Sequence, residues 1–60
     1  MVLYKHMFQI WERYTDNLLY EGIYETDTSD WYYARNRIVS EYRDLISSGI
    51  DWYVDSVLVD

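Results

Sequence analysis

Five serines, at positions 29, 40, 47, 48 and 56, are the chain's candidate nucleophiles, and His6 is its one candidate base. Nucleophilic catalysis needs the hydroxyl within reach of the base and a third group to orient that base. A lone His near the N-terminus, with no pocket signalled around it, reads instead as a surface or packing residue. There is no Cys, which excludes disulfides and thiolate metal sites, and the single His excludes a histidine-rich metal site. No Gly-rich phosphate loop or calcium-loop spacing occurs. The eleven Asp and Glu residues offer acid–base pairs, but so short a chain can hardly enclose a substrate. The sequence therefore predicts no enzyme, no metal, no cofactor and no small-molecule substrate.

The chemistry that remains is recognition. The formal charge of −6 repels phosphates, so nucleic acid is not an expected partner. An acidic surface either keeps a small protein dispersed or competes for a DNA-binding protein. Eight Tyr, three Trp and one Phe exceed what one small core encloses, and Tyr and Trp favour interfaces. Glu12, Asp16, Glu21, Glu25, Asp27 and Asp30 lie between positions 12 and 30 against Arg13 alone, whereas Arg35, Arg37 and Arg43 follow. This acidic lobe reads equally as a charged hairpin edge that resists aggregation or as a row of carboxylates replacing phosphates. A chain of 60 residues is one domain and is marginal alone, which points to a homodimer or a stable partner. No run of about 18 apolar residues is present to span a membrane. The N-terminal stretch lacks signal-peptide features, so the cytoplasm is the expected compartment.

The elements that must position these residues are legible in part. Asp27, Thr28, Ser29 and Asp30 are N-cap candidates. Trp31, Ala34, Ile38, Tyr42 and Leu45 follow at spacings of three and four, widened by Arg35, Val39 and Ile46. Gly49 stands where a left-handed C-terminal residue is expected, which predicts a helix over about 29–48. From Ile50 the period becomes two: Ile50, Trp52, Val54 and Leu58 alternate with Asp51, Tyr53 and Asp55, predicting a strand over about 50–59. Glu21 and Glu25 share a face with Leu19 and Ile23. Tyr4 to Tyr14 fits a strand with Phe8 and Ile10 inward, and also a helix through Leu3, Met7, Ile10, Trp11 and Tyr14. A Thr15-Asp16-Asn17 turn between two equal runs favours a hairpin over about 5–26. The fold class is α+β: a single β-β-α-β domain, residues 1–60, with a three-stranded antiparallel sheet and one helix packed on it.

Tyr20-Glu21, followed eight residues later by Ser29-Asp30-Trp31, resembles the small uracil-DNA glycosylase inhibitors of Bacillus phages with protein-primed replication. In that family a Tyr-Glu pair on the second strand precedes a Ser-Asp-aromatic triplet opening the helix. Val54-Asp55-Ser56-Val57-Leu58 is similar to the family's closing strand, and Asp16-Asn17 falls at its acidic hairpin turn. The likeness runs from about residue 5 to residue 58. Arg35 stands where the family has an aromatic, Tyr32 where it has an acid, and the helix with its following loop is longer by several residues. The resemblance implies a helix-mediated homodimer that mimics DNA on the binding face of host uracil-DNA glycosylase, in the host cytoplasm. It also implies an apolar pocket for the side chain that the enzyme inserts into DNA. The protein-binding residues it implies are Tyr20, Glu21, Asp30, Trp31, Tyr32 and Arg35. Two other classes compete with it: an acidic phage inhibitor of RNA polymerase, a restriction enzyme or a CRISPR complex, and a plain dimerisation module.

Overall fold

The computed structural model describes residues 2–59. Two strands, β1 (Tyr4–Glu12) and β2 (Leu18–Thr26), form an antiparallel hairpin; the helix α1 (Trp31–Tyr42) follows, and β3 (Trp52–Leu58) closes the chain. The sheet is three-stranded with order β2-β1-β3, and β1 pairs antiparallel with both neighbours. The early apolar segment is thus a strand and not a helix. Its alternation decides the matter: His6, Phe8 and Ile10 are buried on the helix side, while Met7 and Gln9 point the other way.

Glu12 and Asn17 organise the hairpin turn. The Glu12 N–H donates to the Asn17 carbonyl at 2.8 Å and the Asp16 N–H to the Glu12 carbonyl at 3.1 Å. The Glu12 carboxylate also accepts from the Thr15 hydroxyl at 2.6 Å. Asp16 takes the left-handed conformation, with φ of 57°, which short Asx side chains tolerate better than most.

A register shift between Ile10 and Trp11 sets Ile10 opposite Tyr20 and Trp11 opposite Leu18, leaving Leu19 as the extra residue. Strict alternation would put Leu19 beside Glu21 and Ile23. The bulge instead lets Leu19 pack against the core. Gly22 faces Phe8, and a Cβ there would lie 3.3 Å from the Phe8 ring. Any side chain there would press on the ring.

The core joins Phe8, Ile10, Ile38, Ile46 and Val54, with Ala34 also fully buried. Ala34 and Ile38, one turn apart, are the buried residues of α1. The helix is shorter than its periodicity predicted. It ends at Tyr42, and the predicted last turn through Ser48 folds back: the N–H groups of Leu45 and Ile46 both donate to the Tyr42 carbonyl. Asp44, Ser47 and Ser48 are weak helix formers, Asp44 meets the negative end of the helix dipole, and no basic residue occupies the last turn. This turn buries Ile46 and leaves Leu45 exposed, reversing the predicted core stripe at its end. Gly49 does not adopt positive φ. At the other end Trp31, expected to begin the stripe, is 55% exposed.

Candidate functional site

The helix entry is built by side chains that hold backbone. The Asp30 carboxylate accepts the Tyr32 N–H at 3.0 Å, making Asp30 the N-cap. The Thr28 hydroxyl accepts the Asp30 N–H at 3.1 Å. The Thr28 carbonyl lies 2.9 Å from Nε2 of His6, which is fully buried. Because a carbonyl only accepts, Nε2 carries the proton, and Nδ1 is left enclosed without a partner. His6 is therefore a packing residue that fastens the loop before α1 to the central strand.

On this support Trp31 stands half out of the surface with its ring edge-on to Tyr32, centroids 5.8 Å apart. Trp31, Ser29, Ser56, Val57 and Leu58 line an open groove of about 540 Å³. Its lining is mainly apolar, except that the Ser56 hydroxyl is buried and unpartnered. Tyr32 and Tyr33 add exposed aromatic surface on the first turn of α1. Arg35 is one turn along. Its Nε donates to the Val54 carbonyl at 3.1 Å, covering one polar group of the outer strand β3. Arg37 lies over the Tyr33 ring at 5.9 Å. Its guanidinium is held above its ordinary value, first by the Tyr24 hydroxyl and then by Tyr33.

The six residues singled out in the sequence do not converge on one spot. Asp30, Trp31, Tyr32 and Arg35 share the first turns of α1. Tyr20 packs on Tyr42 at the far end of the helix, with centroids 4.8 Å apart. Trp31 and Tyr42 are eleven positions apart, roughly 16 Å along the axis. Glu21, next to Tyr20, points from the opposite, helix-free face of the sheet, as its pairing with Gln9 requires.

The carboxylates divide by what they already do. Glu12 holds the turn and Asp30 caps the helix. Asp51 pairs with Arg13 at 3.2 Å, both half-exposed, so the pair adds little stability. Glu21, Glu25 and Asp55 are exposed and have no such role. Sequence reasoning missed the groove's other wall, Ser56 to Leu58. The register of the last strand against the first would have been needed to find it. Among the described residues no cluster of His, Cys, Asp and Glu could hold a metal ion, and no helix is long and apolar enough to cross a membrane. No protein-family model matches the chain, nor does any curated protein or solved structure.

Proposed function

We propose that the chain inhibits host uracil-DNA glycosylase by mimicking DNA, working as a helix-mediated homodimer in the cytoplasm of a phage-infected cell. The observation that carries the reading is the open groove beside Trp31. Its indole is fixed by a capped helix entry yet left largely uncovered, a costly arrangement for a protein with no apolar partner. An enzyme that flips bases presents a cationic groove and an apolar wedge. The Trp31 groove fits the wedge, and free carboxylates such as Glu21 fit the cationic surface. The exposed Trp31, Tyr32 and Tyr33 also offer the helix side an apolar surface for a second copy, and a chain of 60 residues benefits from that burial.

The test is uracil excision by purified bacterial glycosylase with and without the protein. Inhibition should be competitive with DNA, and association should slow with added salt and with Glu21→Gln. Light scattering at micromolar concentration should report a dimer. A glycosylase that excises uracil at its full rate in excess protein refutes the proposal.

A further inference from the structure

The face of the sheet turned away from α1 is ordered into rows. The pairings set Ile23, Met7 and Val57 side by side, then Glu21, Gln9 and Asp55, then Leu18, Trp11 and Tyr53. Lys5 and Glu25 stand side by side at the open end, and Arg13 covers Tyr53 at the other, 5.2 Å from its ring. Rows two residues apart are separated by roughly 6.7 Å, so the two apolar rows lie about 13 Å apart with carboxylates between them. Ile23 is 53% exposed, Val57 51% and Met7 44%. Among the described residues no element covers them.

We propose that this helix-free face is a second docking surface, bordering the Trp31 groove only at Val57, for a basic amphipathic helix of a partner protein. Charge selects the occupant. Glu21, Glu25 and Asp55 face outward against Lys5, so the exposed middle of the surface is acidic. A second copy laid face to face would set three carboxylates of each copy against Lys5 and an Arg13 already paired with Asp51. A partner helix with apolar groups at i and i+8 spans about 12 Å and reaches both apolar rows. A Lys or Arg at i+4 then falls over the Glu21–Gln9–Asp55 row, between two carboxylates. Basic helices of this pattern are common on nucleic-acid-binding proteins, the class of target an acidic mimic meets.

The probe is a helical peptide of leucine and lysine, about 18 residues so that it is helical alone, with Lys between two Leu turns. Its twin carries Glu in place of Lys. Titrated into the isotope-labelled chain, the Leu–Lys peptide should shift the amides of Met7, Gln9, Glu21 and Ile23, and weaken as salt rises. Ile23→Glu should lower its affinity about tenfold or more. Met7→Ser, which leaves the net charge unchanged and lies outside the Trp31 groove, should lower it less while keeping the circular dichroism of the parent. The proposal is overturned if the peptide does not bind, if its shifts centre on Trp31, or if the Leu–Glu twin binds as well. It is also overturned if Ile23→Glu turns a dimer into a monomer, because the face then belongs to a second copy. Loss of glycosylase inhibition with peptide binding intact would refute only the function proposed for the groove.

Discussion

Trp31→Ala distinguishes a packing role from a binding role, because the structure assigns the indole little of the first. Its relative exposure is 55%. A fully buried aromatic hides ~150–250 Å², so the covered remainder amounts to roughly 70–110 Å². At about 25 cal/mol per Å² this is worth about 2–3 kcal/mol, an upper limit because an unfolded chain already hides some of its surface. Ala is the better helix former by about half a kcal/mol, which offsets part of the loss. The net cost to folding is ~1–2 kcal/mol. Asp30 still caps the helix, and Ala34 and Ile38 still bury its inner face. The variant should therefore stay folded, with its far-ultraviolet circular dichroism unchanged and its Tm lowered by roughly 5–15 °C. Ile38→Ala, which empties a fully buried site, should cost about 2–5 kcal/mol and unfold much of the population. Binding behaves in the opposite order: an indole that anchors a partner contributes ~2 kcal/mol or more, so Trp31→Ala should weaken inhibition about thirtyfold. Circular dichroism, sizing and uracil excision are read on one sample. A folded variant that inhibits at full strength refutes the anchor, and an unfolded one refutes the reckoning of its burial.

Other outcomes follow from single contacts. Asp30→Ala removes the cap on the Tyr32 N–H and should cost ~1 kcal/mol, seen as faster amide exchange at the helix entry. Gly22→Ala brings a methyl within 3.3 Å of the buried Phe8 ring; about 1–3 kcal/mol should be lost in a urea melt. His6→Ala opens a cavity at a fully buried position and frees the Thr28 carbonyl. It should cost roughly 2–4 kcal/mol and loosen residues 27–30, measurable by hydrogen exchange. Arg35→Met keeps the apolar stem but uncovers the Val54 carbonyl, so sedimentation should show more self-association through the outer strand.

The strand pattern was legible where alternation was strict. Phe8 and Ile10 point inward as read, and the Thr15-Asp16-Asn17 turn sits where the two runs implied it. Reading failed where tertiary contacts override local period. Leu45 continues the helical spacing of Tyr42, yet Ile46 is buried, because the chain turns once Asp44 and the following serines stop favouring a helix. Leu19 alternates with Tyr20 in sequence, yet the bulge lets it reach the core. His6 was open to either a surface or a packing role because nothing local marks it; its burial depends on Thr28, twenty-two residues away. The six proposed contact residues come from the family resemblance, whose motif does not say which face of the sheet each side chain joins. The motif groups Tyr20 with Glu21, and the alternation of the strand separates them.

That separation bears on how an acidic protein of this size could work. Along the helix Arg35, Arg37 and Arg43 are balanced by Asp30, Glu41 and Asp44, and Arg35 donates to the Val54 carbonyl while Arg37 lies on Tyr33. On the helix-free face Glu21, Glu25 and Asp55 outnumber Lys5. Under the proposed function, attraction over distance and apolar capture at contact fall to different surfaces of one domain. Long-range charge acts mainly on the rate of encounter, whereas a desolvated aromatic acts mainly on the rate of escape. A domain arranged this way can lose either term by a single substitution without losing the other, because Glu21 and Trp31 share no contact and stand on opposite sides of the sheet.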